Sequence, residues 1–234
     1  MTGWIVEGTY CGAAPVPSQL LLAWNLDPIL LTALAVTAYA LRRSTAGLCA
    51  VGVMFLAFVS PLCALSSALF SARTVHHVLM VAVAAPLFAM ALPSGRATGV
   101  AVSFLFSTAL LWGWHVPAAY DLALSDMAVY WAMQLSLVGS ATLFWRAVLA
   151  ARAAPDAILW SVAGLMQMGF LGALLTFAPA QLYAAHAIAP LDWGLTPLTD
   201  QQLGGLIMWV PAAVPYLAMI VLTARRVWHA ASPA

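Results

Sequence analysis

From residue 28 to residue 226 the sequence alternates apolar runs of roughly helix length with short segments that hold most of its charge. A backbone that crosses lipid finds no water for its N–H and C=O groups, so these must pair within a helix or around a closed barrel. The runs here are longer than barrel strands and lack their alternating polarity, which predicts an all-α polytopic membrane helical bundle. Composition agrees: 65% of the residues are hydrophobic and 6% are charged. A chain of 234 residues could not cover a water-facing surface with so few charges. The expected surroundings are therefore the lipid bilayer, with no nucleic acid partner; the net charge of +1 itself says nothing about partners.

The apolar runs predict about seven transmembrane helices, over residues 28–41, 46–70, 76–92, 98–114, 127–149, 157–177 and 200–226. Residues 1–27 read as an outer interfacial N-terminal segment, 28–226 as the seven-helix domain and 227–234 as a short cytoplasmic tail. The first run is short against the ~20 residues a bilayer needs. It opens on Asn25-Leu26-Asp27-Pro28, with Asp27 as the cap and Pro28 at the first helical position. Pro61 and Pro86 fall inside spans two and three, and Gly204-Gly205 with Pro211 predicts a close helix approach and a bend in the last. Glu7, with no basic residue ahead of the first apolar stretch, argues against a cleaved signal peptide.

Arginine sets the orientation, since lysine is absent. With the N-terminus outside and the C-terminus inside, Arg42, Arg43, Arg96, Arg146, Arg152, Arg225 and Arg226 fall inside and Arg73 alone falls outside. The same arrangement gathers His76, His77, His115 and His186 at the outer mouth, and leaves His229 inside.

Chemistry is therefore expected at that mouth. In the stretch Leu111-Trp112-Gly113-Trp114-His115-Val116-Pro117 the tryptophans suit a membrane–water interface. Pro117 turns the chain just after His115, towards Tyr120 and Asp121. His77 is expected to open span three, with Met80 three residues on along the same face. His77 and His115 should approach closely across antiparallel neighbours, with Met80 one turn deeper and Asp121 near the rim. Imidazole and thioether together favour copper. His186 lies in a loop, where it could complete such a site. Asp200 reads first as a helix cap for span seven, and Asp121 equally well as a turn residue. The bland alternative keeps these histidines as rim residues and Met80 as packing. Cys49 and Cys63 read as small packing residues, and Cys11 as a lone thiol outside the spans.

The sequence holds no HExxH, no GxSxG and no glycine-rich phosphate loop, so no enzyme is expected. No charged residue is expected at mid-membrane depth, which counts against ion pumping. Two other readings stand beside copper. One is a haem-binding electron-transfer protein with His77 and His115 as axial ligands. The other is a metal-dependent hydrolase built on Asp121 or Asp200 with the histidines.

Several segments resemble one family, the CtaG-type proteins associated with assembly of caa(3)-type cytochrome c oxidase. They are Trp24-Asn25-Leu26-Asp27-Pro28, His77-Val78-Leu79-Met80 with Ala85-Pro86-Leu87, Trp114-His115-Val116-Pro117 with Tyr120-Asp121, Phe144-Trp145, and Asp200-Gln201-Gln202-Leu203-Gly204-Gly205-Leu206-Ile207-Met208-Trp209. The resemblance implies a factor in a bacterial cytoplasmic membrane that contacts cytochrome c oxidase subunits, with copper delivery at the outer face. It carries His77, His115, Asp121 and Asp200 over as matching positions. Two positions depart from it: Gln134 and Arg73 stand where the family commonly has histidine, which leaves fewer ligands for copper unless His76 or His186 substitutes.

Overall fold

The computed structural model describes residues 10–93, 99–151 and 153–231, among which every regular element is helical. Helix α1 (Pro28–Ala40) starts as expected: the Asp27 carboxylate accepts the Ile29 N–H at 2.8 Å, and Pro28 holds the first position. Ser44 caps α2 (Thr45–Phe58), and Ser60 caps α3 (Pro61–Ala68). The expected second span is thus two helices bent by 48°, because Pro61 has no N–H to continue the ladder and instead begins a new helix.

Helix α4 (Phe70–Ala91) begins six residues before His76, the expected start of span three. Its middle widens into a π turn over Leu79–Ala84, just ahead of Pro86, where the proline removes a backbone donor. Helices α5 (Val100–Trp114) and α6 (Pro117–Ser125) meet at 74°, the turn that Pro117 predicts. Asp126 caps α7 (Met127–Leu149) through the Val129 N–H at 2.9 Å. Helix α8 (Ala154–Thr176) leads into a loop with two short 3-10 turns, and α9 (Pro197–Trp209) and α10 (Ala213–Ala231) finish the bundle.

By length and composition α4, α7, α8 and the combined α9–α10 can each cross a membrane, and the bent pairs α2–α3 and α5–α6 raise the number to six. The seventh expected span rests on α1, whose 13 residues are short of the ~20 a bilayer requires.

Glycine sets the closest packing. Helix α9 lies between α4 and α8, with Gly204 against Phe70 and Thr74 and Gly205 against the Gly172 backbone. A Cβ at Gly205 would stand 2.6 Å from the Gly172 carbonyl oxygen, which no side chain can avoid. Helix α7 packs across α5, α6 and α4. Leu41 meets α2 near Ala91, and Arg146 donates to the Pro93 carbonyl at 2.7 Å, so Arg42, Arg43 and Arg146 share one end of the bundle. The starts of α4, α7 and α9 mark the opposite end, with Asp126 and Asp200. Glu7, Arg96 and Arg152, which enter the charge argument, and residues 232–234 of the expected tail lie outside the described residues.

Two expectations need correction here. Cys11 and Cys63 form a disulfide (Cα–Cα 5.1 Å), so neither is a free thiol, and Cys49 is exposed rather than packed. Arg73 is not a loop residue. It lies in the first turns of α4 and is 1% exposed, because the helix extends back past the polar stretch taken for its boundary.

Candidate functional site

The first turns of α4 bring Arg73, His76 and His77 into the bundle, where His76 is fully buried and His77 is 3% exposed. Residues three and four apart on a helix share a face, so one charged group and two imidazoles are neighbours by register alone. The Arg73 Nε–H donates to the Ser66 carbonyl at 3.2 Å. Both its terminal nitrogens, both ring nitrogens of His76, Nε2 of His77 and both amide atoms of Gln134 on α7 have no hydrogen-bond partner. Tyr130, one turn before Gln134, places its ring 5.4 Å from the Arg73 guanidinium carbon. Arg73 and Gln134 both lie near the Tyr130 hydroxyl but stop short of a hydrogen bond.

Rings enclose this cluster. Phe58 meets His76 edge to face at 4.6 Å, His76 meets His77 at 5.7 Å, and His77 meets His115 at 6.3 Å. His77 and His115 do approach, but not across packed antiparallel neighbours as expected: α7, not α4, packs along α5. His115 Nδ1 lies 2.7 Å from the Leu111 carbonyl oxygen. A carbonyl only accepts, so Nδ1 carries the proton and Nε2 of the neutral ring keeps its lone pair, the arrangement common for a metal-binding histidine. Met80, three residues beyond His77 in the π turn, is fully buried.

The other expected site residues have structural partners. His186 Nε2 lies 2.8 Å from the Tyr120 hydroxyl and Nδ1 lies 3.3 Å from the Ala68 carbonyl, so both ring nitrogens are engaged. Burial, and secondarily the charge of Arg73, pushes its pKa down to about 3, with the Ala68 contact opposing. Asp121 accepts the backbone N–H groups of Ala184 and Ala185, each at 3.1 Å, and so holds the short turn that carries His186. Asp200 is a helix cap, but not for its own helix: Thr196 caps α9, and the buried Asp200 carboxylate accepts from Phe70 and Ser71 at the start of α4. The Trp112 and Trp114 indoles bond Gln167 and Ser136 instead of facing water, which ties α5 to α8 and α7.

Arg73 and Gln134, singled out in the sequence as positions where the resembled family commonly has histidine, join the cluster. The signal for Gln134 was a polar amide inside an apolar run. For Arg73 it was the apolar stretch through Leu69 and Phe70, which runs on into Ser71-Ala72 with no loop residue between.

Among the described residues no three His, Cys, Asp or Glu side chains gather as a ready metal site. Histidine nitrogens without partners nonetheless suit a soft monovalent ion such as Cu(I). The Arg73 charge nearby disfavours a divalent ion about twice as strongly as a monovalent one, since Coulomb energy scales with charge.

Residues 97–230, more than half of the sequence, match the family model described as cytochrome c oxidase caa3 assembly factor (Caa3_CtaG). The chain belongs to this family. The matched part of this Caa3_CtaG protein contains His115, Asp121, Gln134, His186 and Asp200, whereas Arg73, His76, His77 and Met80 precede it. Membership implies association with cytochrome c oxidase. No curated protein and no solved structure matches the chain.

Proposed function

We propose that this chain serves caa3 oxidase assembly by holding Cu(I) at His76, His77, His115 and Met80, in a bacterial cytoplasmic membrane. The observation that carries the reading is the set of unpartnered nitrogens on His76 and His77, with the His115 ring 6.3 Å from His77. An unsatisfied buried polar atom costs about 1–3 kcal/mol, more for a charged group. Seven such atoms therefore form an expensive arrangement unless a ligand engages some of them. The family supplies the target, cytochrome c oxidase. The protein acts as a carrier or scaffold and not as a catalyst.

The reading includes seven spans with the N-terminus outside. Two signals support that sidedness independently. Arginines favour the inner side, and the Cys11–Cys63 disulfide suits an oxidising compartment, which supports residues 11 and 63 lying outside.

Copper content of the purified protein after Cu(I) loading tests the proposal. Wild type should retain copper, and His77→Ala and His115→Ala should lose most of it. A deletion strain should show lowered oxidase activity with partial rescue by added copper. Unchanged copper content in the oxidase of that strain would remove the copper role and leave assembly standing.

A further inference from the structure

The cluster of Arg73, His76, His77 and Gln134 is sealed, with each residue at 3% exposure or less, so a ligand reaches it only if something opens. The segment that closes it at the disulfide end is residues 10–27, among which only Cys11 and Pro15 are buried. Tyr10 stacks on Tyr130 at 5.3 Å and meets Trp131 at 4.7 Å. Cys11 Sγ lies 3.4 Å from the Tyr130 hydroxyl. Trp131 stacks in turn on Phe58, whose ring covers His76. The segment therefore bears on both aromatic walls of the cluster, Tyr130 above Arg73 and Phe58 above His76.

Besides the Tyr10 ring contacts, this segment is held by the short 3-10 turn Pro17–Leu22 lying on α3 and by polar contacts. The Trp193 indole donates to the Pro15 carbonyl at 3.1 Å, Asn25 N–H donates to the Val59 carbonyl at 2.9 Å, and Tyr10 bonds Asp27 within the segment itself. Leu21 and Leu22 are exposed and pack no core. The one covalent hold next to the cluster is the Cys11–Cys63 bond, which fixes Tyr10 and Cys11 to α3.

We infer that residues 10–27 are a strap over the cluster and that the Cys11–Cys63 disulfide is its reducible latch, opened by a dithiol protein on the same side of the membrane. A donor thiolate attacks the Cys11 sulfur, the less enclosed of the two, forming a mixed disulfide and releasing Cys63 as a thiolate that takes up a proton. The donor's second thiolate then displaces Cys11, which is protonated in turn. Two electrons and two protons pass to the chain, and the donor leaves as a disulfide. Without the tether, Tyr10 separates from Tyr130 and Trp131 through local opening, and the histidines become reachable. The inference rests on the cluster being a ligand site, and it names how that site is regulated.

The test uses the full chain in detergent with Cys49→Ser, since Cys49 is exposed and would react. Carbethoxylation of His76 and His77, followed peptide by peptide, reads access without metal; Cu(I) uptake is measured in parallel. Reduction by a phosphine, and separately the pair Cys11→Ser with Cys63→Ser, should raise the rate at His76 and His77 by about tenfold or more. Reoxidation should restore the slow rate, which separates opening from unfolding, and helix content by circular dichroism should not change. Equal rates in oxidised and reduced protein overturn the latch. Faster histidine reaction without copper uptake supports the latch and overturns the copper reading. Copper uptake at one rate in both redox states does the reverse.

Discussion

The backbone N–H of Phe70 donates a 2.6 Å hydrogen bond to the carboxylate of Asp200, 130 residues away. Ser71 N–H adds a second, at 3.1 Å, to the other oxygen. A carboxylate at a helix N-terminus satisfies orphan donors and meets the positive end of the helix dipole. Here it also locks α9 to the helix that carries Arg73, His76 and His77. Asp200→Ala leaves those donors buried and unpaired, and should lower stability by about 1–3 kcal/mol. Asp200→Asn, which keeps one acceptor, should lose less. Thermal unfolding in detergent measures both. A loss of bound copper with no loss of stability would instead make Asp200 a ligand.

Gln134 faces the cluster with an amide that has no partner. An amide is a poor ligand for a soft ion, and imidazole a good one. Gln134→His should therefore raise Cu(I) affinity, read by competition against a chromophoric chelator. Unchanged affinity would place the bound ion away from α7.

His186 is held as the neutral imidazole, with a pKa of about 3 against the ordinary 6.5. Between those values an unfolded chain takes up a proton that the folded chain refuses, so stability falls as pH drops through that window. The advantage of wild type over His186→Gln should be full above pH 6.5 and shrink below it, by up to about 1.4 kcal/mol per pH unit. Melting temperatures across pH 4–7 give the answer, since about 2.5 units of the window fall in that range. A constant difference would show that the ring is not buried neutral.

Gly205→Ala and Gly139→Ala form a matched pair. At Gly205 the new methyl meets backbone atoms, the Gly172 oxygen at 2.6 Å and the Thr176 nitrogen at 2.7 Å. Overpacking of this kind costs about 1–3 kcal/mol. At Gly139 nothing lies within 4 Å, so alanine should be neutral or stabilise α7 by up to about 1 kcal/mol. Equal effects at the two sites would refute the tight α8–α9 contact.

What the residue order determined by itself is the local part of this protein. Helix-length apolar runs with almost no charge demand internally paired backbone, so helices in lipid followed directly. Asp27-Pro28 and the turn at Pro117 act within a few residues of themselves, and both came out as the local chemistry requires. His77 and His115 do approach, but not for the reason the sequence offers: α4 and α5 are not packed as neighbours, and α7 packs against both. Only tertiary structure decided the rest. Cys11 and Cys63 are 52 residues apart with no spacing signature, and Asp200 caps a helix far from it in sequence. Arg73 looked like a loop residue until α4 was seen to begin at Phe70. Each of these depends on which surfaces the folded bundle brings together. Such a pairing leaves no mark on the residues beside it in the chain.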